Sequence, residues 1–322
     1  MRAVRVHENG GPEVMRLEQV PDPVPADTEL LIDVEVVGIN FIEIYQREGL
    51  YPRPLPLTLG AEAAGTVRAV GPAVTGFGPG DRVVSQSVKG AYAERAVVPA
   101  ARAVRIPAGI STKQAAAAWL QGLTAHYLAT STFPLQNGHR ALVHAAAGGV
   151  GLMLCQMAKM RGATVYGTAS TDAKRALAHQ AGADEMIDYT SADFAAELKR
   201  LTGGDGVNVV YDSVGKTTFD KSLDCLMRRG MMVLFGQSSG PVPSFDPQIL
   251  NRKGSLFLTR PKLDDYVHAR PELESRANEL FSWIEDGWLR VHIDRTLPLG
   301  QAAAAQSALE SRQTIGKVLL VP

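Results

Sequence analysis

Short apolar runs alternate with longer stretches of helical periodicity through the middle of the chain. From about Leu123 to Arg260 the runs are RALVHA (140–145), ATVYGT (163–168), EMIDY (185–189), VNVVYDSV (207–214), MMVLFGQ (231–237) and SLFLTR (255–260). Between the first three lie GLMLCQMAKMRG and TDAKRALAHQAGA, with alanine or leucine at helical spacing and a glycine near each end. This alternation predicts an α/β fold, a doubly wound parallel sheet with helices on both faces. Runs rich in β-branched residues suit strands covered on both sides.

The first 120 residues follow another pattern. Short strands such as ELLIDVEVVGI (29–39) and GTVRAVG (65–71) are punctuated by Gly–Pro and Pro–Gly turns at 71–72 and 78–80, which predicts a mostly antiparallel β domain. After Pro261 helical patterns return, RANELFSWIEDG and QAAAAQSALESR, followed by a terminal strand, GKVLLVP.

Composition narrows the classes. At 322 residues the chain is long enough for two domains, since single cores rarely grow past about 250 to 300 residues. Lysine plus arginine equals aspartate plus glutamate, 33 each, so no global field favours a polyanion or an acidic membrane. Two cysteines, Cys155 and Cys225, exclude a disulfide scaffold and a four-thiolate zinc site; both lie in apolar runs and read as free buried thiols. The N-terminal MRAVRVHENGG has charges throughout and lacks a signal-peptide core. The longest apolar stretch, from Ala141, is broken by His144, Gln156 and a glycine turn, too interrupted for a membrane span. A cytoplasmic protein is expected.

The segment HAAAGGVG (144–151) carries the first candidate chemistry. Gly148 and Gly151 stand where the second and third glycines of a dinucleotide-binding G-x-G-x-x-G turn belong, and Ala146 replaces the first. That replacement is tolerable if the turn keeps a negative φ there. Strand before and helix after supply the context such a motif needs, with the opening amides of the helix facing the phosphates. An NAD site places an acidic residue about 20 residues on. Here that region reads Gly167, Thr168, Ala169, Ser170 and Thr171, followed by Lys174 and Arg175. Hydroxyls and Lys174 suit a 2′-phosphate and point to NADPH; a solvated basic helix start is the plainer alternative. Asp172 is the discordant charge, placed where it also makes an ordinary cap.

The segments GINFIEIYQREGLYP (38–52), LGAEAAGTV (59–67), QGLTAHYL (121–128), HAAAGGVG, VVYDSVG (209–215), GSLFLTRP (254–261) and ALESRQTIGKVLLVP (308–322) resemble the quinone oxidoreductases of the zeta-crystallin type, within the medium-chain dehydrogenase/reductase superfamily, and the resemblance runs end to end. It implies a GroES-like, β-rich catalytic domain at 1–122 with 261–322, a Rossmann domain at 123–260, NADPH as cofactor, no metal, and a homodimer. Carried over by position, it implies cofactor contacts at Asn40, Phe41, Tyr45, Thr124 and Tyr127, then at Gly149, Val150, Ser170, Thr171, Lys174, Tyr189, Ser213 and Val214. Phe235, Gly236, Gln237 and Ser238 follow, and Arg312 returns to the phosphate region, although a surface charge at a helix end is its plainer reading.

Zinc alcohol dehydrogenases of the same superfamily have a cysteine where this chain has Asn40 and a histidine where it has Ala61, and its seven histidines show no ligand spacing. Hydride delivered to a simple ketone leaves an alkoxide that needs a Lewis acid or a strong proton donor. A quinone or conjugated enone spreads that charge over its own π system, so a metal-free site argues for a conjugated acceptor. Asn40, Tyr45 and Tyr51 are the catalytic candidates: Asn40 to orient the nicotinamide or a water, the tyrosines as donors, stacking partners or pocket walls. Glu62 is expected to be structural. Three functions fit: an NADPH-dependent quinone reductase, an enone or enoyl reductase, and a non-catalytic NADPH-binding protein. The apolar SLFLT strand ends the sheet and offers an edge for dimer pairing.

Overall fold

A computed structural model describes residues 1–322. The chain divides into two units, Met1–Gln121 with Ala269–Pro322, and Gly122–His268. The first contains β1 (Arg2–Val6), β2 (Met15–Gln19), β3 (Glu29–Gly38), α1 (Phe41–Arg47), β4 (Leu57–Thr58), β5 (Glu62–Val70), β6 (Arg82–Ser85), β7 (Arg95–Pro99) and β8 (Val104–Arg105). Helix α2 (Thr112–Tyr127) leads onward to β9 (Arg140–Val143), α3 (Gly149–Met160), β10 (Thr164–Ala169), α4 (Asp172–Gln180), β11 (Glu185–Asp188) and α5 (Phe194–Leu201). Then come β12 (Val207–Asp212), α6 (Phe219–Asp224), β13 (Leu226–Leu234), α7 (Gln248–Arg252), β14 (Phe257–Thr259) and α8 (Leu263–Tyr266). The chain closes the first unit with α9 (Arg270–Glu285), β15 (Ile293–Pro298), α10 (Ala302–Glu310) and β16 (Lys317–Val321).

In the first unit β3 is the spine of a seven-stranded sheet, ordered β15-β16-β3-β5-β6-β8 with β7 also on β3; a second sheet is ordered β2-β1-β4. Leu30, Ile32 and Val34 face the core at a spacing of two, and Val37 and Ile39 resume it one residue out of phase. A register shift between Val34 and Val36 makes the change, because an extra residue in one strand reverses which faces its side chains take. Every pairing in the large sheet is antiparallel except β15 with β16.

The second unit is a six-stranded parallel sheet in the order β11-β10-β9-β12-β13-β14. Strand order reverses between β9 and β12, which places the ligand crevice of such a sheet beyond their C-terminal ends. Each apolar run of the middle region forms a strand. β13 begins earlier than the run MMVLFGQ, at Leu226, because Arg228 and Arg229 interrupt the apolar pattern without ending the strand. Helix α2 begins in the stretch whose pattern predicts a β domain and buries Ala115 to Ala118 completely; a buried face of such small side chains carries no large apolar residues to mark its period. The second boundary falls after His268 rather than after Arg260, and within this unit Tyr266 stacks on Tyr127 with ring centroids 4.2 Å apart. No helix is long and apolar enough to cross a membrane.

Candidate functional site

The glycine turn leaves β9 and enters α3 with Gly148 at the N-cap. The left-handed residue is Ala145, at φ 51°, and not Ala146 where the motif's first glycine would stand. An alanine is therefore acceptable at 146, and the strain has moved one residue earlier. A Cβ on Gly151 would collide with the Ala145 carbonyl oxygen and lie 2.7 Å from that of Ala146. Helix and turn thus touch backbone to backbone, and no side chain fits. Gly149 and Val150 are the first residues of α3, where amides have no partner inside the helix. The cradle fits a dinucleotide pyrophosphate: a bare glycine, half-exposed backbone at Gly148 to Val150, and a helix dipole behind it.

At the end of β10 the Thr168 side chain turns inward and bonds His144, 3.0 Å from its Nδ1. Only Ser170 and Thr171 are left of the hydroxyls anticipated for a 2′-phosphate. Thr171 caps α4, accepting from the Lys174 amide at 3.3 Å. Arg175 is engaged by Asp172 and, at 2.8 Å, by Asp188, so the discordant carboxylate has its own cation. Hydrogen bonds from Thr190 hold the Asp188 carboxyl down to about 2. Tyr189, beside it, is partly exposed.

Asp212 ends β12 and is completely buried. Its Oδ1 accepts from the amides of Val214 (2.7 Å) and Gly215 (3.0 Å), and its Oδ2 from the hydroxyls of Thr218 (2.7 Å) and Ser222 (3.3 Å). The loop after β13 is laced to the loop after β12: Ser238 donates to Ser213 O at 3.1 Å and Ser239 to Val214 O at 2.9 Å. A Cβ on Gly236 would stand 2.6 Å from Ser213 O. Ser213, Val214, Phe235, Gly236, Gln237 and Ser238 are thereby gathered into one half-buried surface. On α2, Thr124 is 8% exposed and Tyr127 only 1%, its ring covered by Tyr266. Tyr127 packs the unit and offers no open ring face.

The first unit holds the other candidates. Asn40 is the N-cap of α1, and the Glu43 carboxylate accepts from its amide at 2.7 Å. Asn40 Nδ2 donates to Gly38 O (3.1 Å) and Glu62 Oε2 (3.0 Å), while Oδ1 accepts from Lys317 Nζ (2.9 Å). Lys317 Nζ also donates to Glu62 Oε2 (2.6 Å) and Ile39 O (3.1 Å). Gly38 makes room for this cluster, since a Cβ there would strike Glu62 and lie 2.8 Å from Lys317 Cε. Both amide hydrogens of Asn40 are committed, so its side chain is a fixed post and not a proton source. Burial pushes the Glu43 carboxyl up to about 7, against the opposing pull of Lys317. Tyr45 meets Tyr51 edge-on at 5.3 Å and Phe41 at 6.1 Å, forming an aromatic group on α1 and the segment after it.

Arg312 follows α10 at φ 59°. Its amide bonds Leu309 O at 3.1 Å and that of Gln313 bonds Ala308 O at 2.9 Å, the paired closure of a helix end that usually has glycine at the left-handed position. Lys317, Glu43, Asp212, His144 and Ser222 were not singled out from sequence. The available signal was a lysine opening an otherwise apolar strand and a glutamate, Glu43, set between apolar residues on α1. Cys155 and Cys225 are free and buried, and burial pushes both thiols up to about 12. No three His, Cys, Asp or Glu side chains are arranged to hold a metal ion.

Residues 26–108 match the alcohol dehydrogenase GroES-like domain and residues 149–261 the zinc-binding dehydrogenase domain, which together define the class of two-domain, dinucleotide-dependent dehydrogenases. A quinone oxidoreductase of Escherichia coli is 47% identical, with 99% of each chain covered. A 2-haloacrylate reductase of a Burkholderia species is 39% identical over 99% of this chain and 98% of that one. The crystal structure of Escherichia coli quinone oxidoreductase complexed with NADPH superposes with a TM-score of 0.98, at 46% identity and with both chains covered completely. The chain belongs to the quinone oxidoreductase family.

Proposed function

We propose that this protein is an NADPH:quinone oxidoreductase that works without a metal. The observation that carries the reading is the fate of the two zinc-ligand positions. One is Ala61; the other, Asn40, has its amide bound into the buried Glu62–Lys317 pair. With no Lewis acid assembled from these residues, the acceptor has to delocalise the charge it receives, as a quinone does. NADPH supplies the hydride. Gly148, Gly149, Val150 and Gly151 would hold its pyrophosphate, and Ser170, Thr171 and Lys174 its 2′-phosphate, with Arg312 as a further cation. Ser213, Val214 and the 235–238 loop would line the nicotinamide side, with Thr124 and Tyr189 completing the contacts and Tyr127 packed behind them against Tyr266. Asn40, Phe41 and Tyr45 serve cofactor and acceptor from the first unit, where Tyr45 and Tyr51 form an aromatic wall suited to a planar substrate and able to donate a hydroxyl proton.

A second reading, reduction of an activated carbon–carbon double bond, is favoured by the 2-haloacrylate reductase relative. Turnover of NADPH measured in parallel on a small quinone and a small enone, before and after chelation, tests both. Faster, chelator-resistant turnover on the quinone supports the proposal; preference for the enone favours the second reading. NADPH binding without turnover of either would make this a binding protein only. The same reading places the enzyme in the cytoplasm, consistent with two unpaired thiols, and as a homodimer through the β14 edge, where Phe257 is 55% exposed.

A further inference from the structure

We propose that His144 is a positioning residue for the dinucleotide: a directed chain of hydrogen bonds through its ring ties together the turns after β9, β10 and β12. The proposal rests on the NADPH reading above. His144 is 2% exposed and directly precedes the glycine turn. Its Nδ1 lies 3.0 Å from Thr168 Oγ1, and its Nε2 lies 2.9 Å from Ser222 Oγ. Ser222 Oγ reaches Asp212 Oδ2 at 3.3 Å. The Phe194 ring meets the imidazole edge-on at 4.8 Å and closes it from that side.

The direction of the chain follows from its end. A carboxylate can only accept, so the Ser222 hydrogen goes to Asp212 and the Ser222 oxygen accepts from His144 Nε2–H. Nδ1 is then the acceptor, and the Thr168 hydroxyl donates to it. Burial lowers the affinity of this imidazole for a proton, against the pull of the Asp212 charge, and keeps the ring neutral. Each station adjoins a turn assigned to the cofactor. His144 opens 145–151, and the Thr168 carbonyl accepts from the Ala146 amide at 3.1 Å. Thr168 lies two residues before Ser170. Asp212 fixes the amides of Val214 and Gly215. An apolar packing would fill the same space without burying four polar side chains. What the polar chain adds is a fixed mutual register of three turns at the place where strand order reverses.

Ser222 is the informative position, because it touches the β10 side only through His144. Ser222→Ala is expected to weaken NADPH about tenfold and also to weaken 2′,5′-ADP, a fragment confined to the phosphate side, about threefold or more. Thr168→Val should show the same pattern, and Thr168→Ser, which keeps the donor, should restore binding of both ligands. Titration calorimetry reads the affinities and thermal unfolding reads the fold. Loss of thermal stability with both affinities unchanged would mean a purely structural network and overturn the proposal. In unsubstituted protein, 15N spectra of labelled histidine should show His144 as the Nε2–H tautomer; Nδ1–H would overturn it even if every variant failed to fold. If unsubstituted protein binds no NADPH, the underlying reading falls and this one with it; if it binds and Ser222→Ala binds equally, only this one falls.

Discussion

Lys317 Nζ lies 2.6 Å from Glu62 Oε2, and the two side chains are 1% and 0% exposed. The strands that carry them are not neighbours: β3 runs between β16 and β5. The pair therefore bridges behind β3, at Gly38, which has no side chain to obstruct it. Removing one partner of such a pair leaves a buried charge alone and costs about 3 to 5 kcal/mol. Lys317→Met is expected to lose that much unfolding free energy in urea titrations, and adding Glu62→Gln, which removes the stranded charge and keeps an acceptor for Asn40 Nδ2 and the Leu120 amide, should recover part of it. A single-variant loss below about 1 kcal/mol would show that Glu62 finds water once its partner is gone.

Glu43 sets a pH dependence of definite sign. Its carboxyl titrates near 7 in the folded protein against an ordinary 4.5, so folding favours the protonated form. The stability this gives is complete below pH 4.5 and is lost as pH rises through 7, a change of about 3 kcal/mol. His144 works in the opposite direction: its lowered affinity gives stability above pH 6.5 that is lost on acidification. Comparison with Glu43→Gln isolates the first effect. The unfolding free energy of Glu43→Gln relative to the native sequence should rise between pH 5 and pH 8, and a flat difference would place Glu43 in contact with water.

Lys174→Ala should raise the dissociation constant for NADPH about tenfold or more while leaving NADH within a factor of two, since charge-assisted bonds to a phosphate contribute about 1.5 to 3 kcal/mol. Fluorescence titrations with both nucleotides check it. Equal losses would show that the lysine lies away from the 2′-phosphate.

Gly151→Ala should be disproportionate for a single methyl group. With carbonyl oxygens of Ala145 and Ala146 in its path, α3 has to shift from the turn, at a cost of about 1 to 3 kcal/mol in stability. NADPH affinity should fall with it, as the opening amides of α3 lose their place. Gly203→Ala is the contrasting case: no atom meets an added Cβ, but φ is 65°, so any loss there is backbone strain without a change in cofactor binding.

Phe257→Lys tests the proposed dimer. Phe257 is exposed on the edge strand β14, and a lysine on such an edge discourages further pairing. The native protein should sediment as a dimer at micromolar concentration and the variant as a monomer with unchanged melting of the subunit. A monomeric native protein would remove the edge pairing altogether.

The parallel sheet was legible because each strand contains a short, mostly apolar run and each crossover a helix, so local pattern and topology coincide. The first unit was legible only as β-rich: its sheet joins Leu30 to Val98 and Leu320 to Val37, pairings that no local periodicity encodes. Residue types in the nucleotide half were readable, but directions were not. Thr168 and Thr171 look equivalent along β10 and its turn, yet one hydroxyl enters the core and the other caps a helix. Lys317 was not legible because its partner, Glu62, lies 255 residues away in the sequence. The left-handed backbone at Arg312 could not be read from the sequence either, because arginine gives no local sign of a position that glycine would take more easily.

The central place of β16, between β15 and β3, bears on how the molecule is made. Residues 122–268 contain every strand of their own sheet and can close while the ribosome is still translating. The earlier segment cannot: until Lys317–Val321 emerges, Glu62 has no cation and the edge of β3 near Gly38 stays open. Nascent chains of this protein should therefore carry a finished middle and an unfinished beginning, with the amino-terminal strands exposed to chaperones until the final strand slots in.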